Sequence, residues 1–288
     1  NQLIGTIPES LGNLTNLEQL DLNGNKLTGT IPSSLGNLKS LYLLFLFSNQ
    51  LTGSVPWNLG TNIQKLLLND NQLAGSISES LGSLMNLELL DLSHNYFNGP
   101  ISTNFSGMKN LSHLDLNNNM LSGSIPEELG KLTELSYLDL SNNELNGLLP
   151  NGLGKLENLY TLLLTSNYFT GSIPQSFSKL TRLLIFSAGG NYLSGRIPNF
   201  IADWKELQKL NLLGNNFEGN LAEGIFNLTE LQKLSVSGLR NPGLTFPKKT
   251  NMSSLQTLIL RNCSINGTIP PYIVEWPKLQ YLYVSFFL

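Results

Sequence analysis

The stretch Leu17-Glu-Gln-Leu-Asp-Leu-Asn-Gly-Asn-Lys-Leu-Thr-Gly-Thr-Ile-Pro32 recurs, with substitutions, from one end of the chain to the other. Its asparagine is the easiest residue to follow. Asn25, Asn49, Asn71, Asn95, Asn119, Asn143, Asn167, Asn191 and Asn215 each close a leucine-rich run, and each is followed two residues later by Leu or Phe. The interval is 24 residues throughout, except for 22 between Asn49 and Asn71. The register continues to Leu239, Cys263 and Phe287, where other residues fill the slot. A chain of 288 residues holds twelve such units. Self-similarity at this period predicts one extended array of stacked units, none able to bury a core alone. Residues 1–288 are therefore expected to form a single repeat domain, with an irregular repeat around 238–250.

Within a unit, Leu20 and Leu22 are two residues apart and point to one side of a short strand, while Gln19, Asp21 and Asn23 point to the other. Stacked strands give a parallel sheet with leucines inward and the intervening residues on an open, concave face. The asparagine amide carries two donors and an acceptor, enough to satisfy backbone groups where the chain leaves the strand. Asn25 through Asn215 thus read as scaffold. The glycine of Leu-Thr-Gly-Thr-Ile-Pro at 27–32 allows a tight turn, and the proline ends a short extended stretch.

The pattern L-x-x-L-x-L-x-x-N/C-x-L is the leucine-rich-repeat signature. The element L-[TS]-G-x-[IV]-P, seen at 27–32, 51–56 and 121–126, resembles the plant-specific class of these repeats. That class is found in receptor-like kinase ectodomains and polygalacturonase-inhibiting proteins. The resemblance implies an α/β repeat solenoid wound as a right-handed superhelix. It also implies a second short strand beside the concave sheet and 3-10 or short helical turns on the convex side. Thr257-Leu-Ile-Leu-Arg-Asn-Cys-Ser-Ile-Asn-Gly-Thr-Ile-Pro270, after the irregular Gly238-Leu-Arg-Asn-Pro-Gly-Leu-Thr-Phe-Pro247, is similar to a narrower group. Those receptor-like serine/threonine kinases carry a malectin-like domain between the repeats and the membrane span. Neither that domain, the span nor the kinase occurs in this sequence. The chain opens at Asn1-Gln-Leu and stops at Phe286-Phe-Leu, inside repeat units, and reads as a fragment without caps or leader. In the resembled families the caps carry paired cysteines, so a lone Cys263 is compatible with an oxidising compartment.

Breaks in the repeat are informative because the scaffold does not require them. Gly60-Thr-Asn-Ile63 shortens one convex turn and should bend the stack locally. The stretch 239–250, with Pro242, Pro247, Lys248 and Lys249, reads as a loop leaning off the surface, either decayed or contacting a partner. Trp204 and Trp276 fall in the slot of Leu132, Leu156, Leu180 and Leu228 and read as convex-side core; Cys263 reads as a buried structural thiol.

The charge balance excludes some functions. A net charge of −3 and 13% charged residues leave no basic excess for a nucleic-acid binder. No apolar run of about 18 residues spans a membrane, so no membrane contact by this segment is expected. His94 and His113 lack metal-ligand spacing, and no G-x-S-x-G or phosphate-loop motif is present. No catalysis, metal or cofactor is expected. The sequence N-x-[ST] occurs at Asn13, Asn104, Asn110, Asn227, Asn251 and Asn266, and supports a glycosylated, extracellular chain. Asn262, beside Cys263, is a doubtful acceptor.

Function is therefore expected on the concave face. Asp91, Asp115 and Asp139 should stack on adjacent strands about 5 Å apart, favouring a cationic partner or a raised pKa, or else standing as solvated filler. Phe45, Phe47 and Leu67, and further along Leu163, Ile185 and Leu213, should project outward as apolar contacts, with His113 and Tyr137 between. No Arg-x-Arg pair, which grips a peptide carboxylate in some resembled receptors, is present. The face suits a basic or aromatic peptide, a protein or a co-receptor ectodomain. Cell-wall carbohydrate is a further candidate, since Tyr137, Tyr168 and Tyr192 can stack on sugar rings. The readings, in order, are a receptor-like kinase ectodomain at the plasma membrane, a secreted inhibitor of cell-wall-degrading enzymes, and an ice- or surface-adsorbing protein. The last wants a regular Thr- or Asn-rich array, which these columns lack.

Overall fold

The structure, a computed structural model, describes residues 1–240 and 242–285. Phe287, the last position of the asparagine register, lies outside the described residues. The chain divides into two compact units, Asn1–Leu145 and Asn146–Leu288.

In the first unit the leucine-rich runs form six parallel strands: Gln19–Asp21, Leu43–Phe45, Lys65–Leu67, Leu89–Asp91, His113–Asp115 and Tyr137–Asp139. Neighbours pair residue for residue, so that Leu44 stands between Leu20 and Leu66, and Leu114 between Leu90 and Leu138. These leucines are buried while the residues on either side alternate outward, as a period of two requires. Parallel strands need a crossover. Here it is made by a second short parallel sheet, including Gln72–Ser76, Tyr96–Gly99 and Met120–Gly123, and by five-residue 3-10 helices such as Glu79–Ser83 and Thr103–Gly107. The unit with the 22-residue interval has only turns at residues 57–58 and 61–62, where a 3-10 helix stands in its neighbours.

The second unit repeats the scheme with strands Thr161–Leu163, Ile185–Ser187, Lys209–Leu212, Lys233–Ser237, Thr257–Arg261 and Tyr281–Ser285, again parallel and in register. Trp204 and Trp276 close 3-10 helices in the leucine slot and are buried. The stretch after Gly238 does not lean away from the surface. Leu239, Leu244 and Met252 are buried, Phe246 packs on Phe226 with ring centroids 6.1 Å apart, and the Leu244 amide donates to the Cys263 carbonyl at 2.8 Å. Leu239 and Met252 keep the 24-residue register, Leu244 and Phe246 add anchors outside it, and Arg240, Pro242, Thr245, Lys248 and Lys249 stay exposed.

The asparagine ladder explains how the turns survive burial. Asn95 Nδ2 donates to the carbonyls of Leu68, Leu92 and Ser93 at 3.0, 3.2 and 3.0 Å, and its Oδ1 accepts from the Leu73 amide at 2.9 Å. Asn191 repeats this in the second unit, with Leu164, Ala188, Gly189 and the Phe169 amide. Each side chain therefore ties its own turn to the preceding repeat. In the same slot the Cys263 thiol faces the carbonyls of Val236 at 3.7 Å and Arg261 at 3.3 Å. The residue before the ladder position is left-handed: Gly24, Ser48, Asp70, His94, Asn118, Asn142, Ser166, Gly190, Gly214, Gly238 and Asn262 all have positive φ. Small, polar or glycine residues tolerate that conformation best.

Candidate functional site

The open face of the first unit carries a central column whose order follows from strand register: Asp21, Phe45, Leu67, Asp91, Asp115, Asp139. The three consecutive carboxylates are aligned as their spacing predicts. Their exposure is not what solvated filler would show. Asp115 and Asp139 are 8% and 7% exposed, and only Asp91 is half-buried. Each also has a backbone task. Oδ1 of Asp91, Asp115 and Asp139 accepts from the amide two residues on, at Ser93, Asn117 and Ser141, over 2.9, 3.0 and 2.8 Å. The column is thus partly scaffold, closing the turn after the strand in the manner of an Asx turn.

Burial raises the Asp115 carboxyl to about 7, with Asp91 and Asp139 adding to the effect against the bonds from Asn117. Burial also raises Asp139, opposed by its bonds from Ser141 and Tyr137. The expected alternative of a raised pKa is realised, and near neutral pH the column carries less than three full charges.

His113 and Tyr137, paired in register, stack face to face. Burial lowers the His113 pKa against the pull of Asp91 and Asp139, so the imidazole is neutral at pH 7 and supplies no counter-charge. Burial and then the neighbouring carboxylates, Asp115 first, push the Tyr137 phenol up, keeping it a neutral donor. Tyr137 is half-buried in this stack, which leaves it less open to a sugar ring than expected.

Phe45, Phe47 and Leu67 lie at one end of the column. They are half-buried, with the two phenyl centroids 6.5 Å apart, and form a low apolar ridge instead of projecting freely. Beside it, Gln19 donates to the Tyr42 hydroxyl, a contact that the leucine pattern gave no reason to single out. Leu163, Ile185 and Leu213 belong to the second unit, where each is half-buried on the sheet face. Tyr168 and Tyr192 start strands of the second sheet there, 50% and 54% exposed, with centroids 6.2 Å apart. The sequon residues Asn13, Asn104, Asn110, Asn227, Asn251 and Asn266 are all exposed and outside the main-sheet strands. Asn262 is half-buried and left-handed.

Among the described residues, no group of three or more His, Cys, Asp or Glu side chains is placed to hold a metal ion, and no helix is long and apolar enough to cross a membrane. The arrangement offers a shaped, mixed apolar and acidic surface suited to recognition.

Comparison with curated protein sequences gives no match. Among solved structures, the plant peptide hormone receptor RGFR1 in complex with RGF2 superposes with a TM-score of 0.89 at 31% identity, over 99% of this chain and 50% of that one. The Arabidopsis receptor kinase HAESA, in complex with the peptide hormone IDA and the co-receptor SERK1, gives 0.85 at 32% identity, over 99% and 53%. A plant ice-binding protein gives 0.72 at 28% identity, over 88% and 82%. The chain spans about half the length of the receptors it matches. The leucine-rich repeat region family matches residues 92–241, and single leucine-rich repeats match at 16–38, 62–84 and 254–276. With the ladder, the register and these matches in agreement, the chain belongs to the leucine-rich-repeat family.

Proposed function

We propose that this chain is the extracellular recognition segment of a plant receptor-like kinase, binding a peptide or a partner ectodomain on the open sheet face of its first unit. The observation that carries the reading is the ridge of Phe45, Phe47 and Leu67 running in register into Asp91, Asp115 and Asp139. Apolar anchors beside a partly desolvated acidic column fit a ligand with an aromatic or aliphatic residue next to a basic one. The likeness to two hormone-receptor structures supports this class of ligand. In this reading the segment lies at the outer face of the plasma membrane within a longer protein, as the outer arm of a signalling chain whose kinase lies elsewhere. The exposed sequons support that location, with glycans kept off the strands.

The test is binding of the purified chain to a panel of synthetic peptides that combine aromatic and basic residues, measured by calorimetry. Phe45→Ala and Phe47→Ala are expected to weaken a positive peptide about 10-fold or more, and Asp91→Asn to weaken it and flatten its salt dependence. Peptide affinity indifferent to all three substitutions would remove this face from the reading. An ice-adsorbing role is less well supported, because the central column mixes Phe, Leu and Asp instead of repeating one residue type. The exposed pair Tyr168 and Tyr192 favours carbohydrate as a second class of ligand, on the second unit.

A further inference from the structure

The main-sheet strands of the second unit differ in charge from those of the first. From Ile185 to Arg261 they contain Lys209, Lys233 and Arg261 and no Asp or Glu. Lys209 and Lys233 are paired in register on adjacent strands, and both are exposed. Parallel strands are about 4.8 Å apart, so two ammonium groups start from neighbouring positions on one face, an arrangement that costs stability when nothing lies between them. Among the described residues neither lysine has an ion pair or hydrogen bond from its ammonium group. The strands that carry them hold no carboxylate. Gln232 Nε2 donates to Gln208 Oε1 at 3.4 Å in the residues just before the two lysines. On the same strand as Lys233, the hydroxyl of the fully buried Ser235 has no partner.

We propose that Lys209 and Lys233 form an anion-binding subsite that takes the carboxylate side chain of an acidic residue in a peptide ligand. This rests on the peptide-binding reading and extends it to the second unit. One carboxylate has two oxygens and can accept from both ammonium groups at once, which turns a repulsive pair into a clamp. A peptide is favoured over an acidic polysaccharide because half-buried Ile185, in register with Lys209, places an apolar contact beside the charges. A uronate chain, hydroxylated around each ring, makes poor use of that contact.

The probe is the end-blocked peptide acetyl-Leu-Gly-Glu-Gly-Leu-amide, with its Gln analogue as control, titrated into the intact chain by NMR and calorimetry. The expected result is that the Glu peptide binds in the millimolar range or better, the Gln analogue binds about 10-fold more weakly, and Lys209→Gln with Lys233→Gln abolishes the difference. Both lysines are exposed, so the variants should fold, and circular dichroism checks this. Equal loss in Lys248→Gln with Lys249→Gln would show diffuse attraction and overturn the subsite. Tighter binding of oligogalacturonate than of the Glu peptide would overturn the choice of ligand. No binding of the Glu peptide would overturn the proposal while leaving the first unit's peptide face, tested by Phe45→Ala, untouched.

Discussion

His113 lies flat on Tyr137, with ring centroids 4.1 Å apart and planes 4° from parallel, and on the same two strands Asp115 pairs in register with Asp139. Both carboxylates are buried, and desolvation is the largest cause of the raised pKa at each. The burial of Asp115 therefore couples the charge of the acidic column to pH.

That coupling has a pH signature. The Asp115 carboxyl sits near 7 when folded, above its ordinary value of 3.8, so the folded state binds more protons between those limits. Stability should then fall as pH rises through about 4 to 7. Asp115→Asn keeps an acceptor for the Asn117 amide and removes the charge. It is expected to stabilise the protein by about 1–3 kcal/mol near pH 8 and to change little near pH 4. Chemical denaturation at the two pH values checks this, and an equal effect at both would refute it.

The ladder predicts a large local cost. Asn95→Ala leaves three carbonyls and the Leu73 amide without their side-chain partner inside the first unit. A loss of about 2–4 kcal/mol is expected, since each buried orphan costs about 1–3 kcal/mol and water recovers part of it. Hydrogen exchange should rise first at Leu73. A uniform rise across the unit would mean that the ladder is not a local tie.

Stacked 3-10 helices impose a steric limit. A Cβ on Gly82 would lie 2.1 Å from the Asn104 carbonyl oxygen on the next turn. Gly82→Ala must push Thr103–Gly107 away and is expected to cost about 1–3 kcal/mol, in the range of core overpacking. Ala at Gly24, where nothing lies within 4 Å but φ is +61°, separates backbone strain from collision. Thermal melts of the two variants should rank Gly82→Ala as the worse.

Cys263 makes the opposite case. Burial pushes its thiol up, and it replaces an amide with a weaker donor. The native thiol should resist an exposed-thiol reagent and react only on unfolding. Cys263→Asn supplies the group used elsewhere in the ladder and is expected to be neutral or stabilising by up to about 1 kcal/mol. Fast labelling of the native protein would contradict this account.

Much of this was readable from the repeat. Leucine alternation fixed which residues face inward, and the Asn25-to-Asn215 register marked every turn, because both are properties of one unit copied many times. The buried state of Asp115 and Asp139 was not readable. It depends on packing between repeats, where residues that the pattern leaves variable, such as the stacked His113 and Tyr137, meet. The left-handed position before each ladder residue had a partial signal in Gly24, Gly190, Gly214 and Gly238, masked where Ser, Asp, His or Asn stands instead. The core role of residues 239–252 was half hidden: Leu239 and Met252 keep the 24-residue register, but Leu244 and Phe246 have no counterpart in the other repeats, and the intervening prolines and lysines read as surface loop.

The 22-residue interval carries a lesson about how such chains change length. Asn71 still reaches the Leu46 carbonyl at 2.9 Å and receives the Leu51 amide at 3.0 Å, although the crossover before it is two residues short and has lost its helix. Strand, left-handed residue and asparagine act as a fixed gauge, while the far side of the repeat is slack. Insertions and deletions in this family member should therefore be admissible between residues such as 56 and 62, and ruinous between a strand and its asparagine. A change of length taken up on the far side of the repeat leaves the sheet side free to vary its side chains at constant geometry.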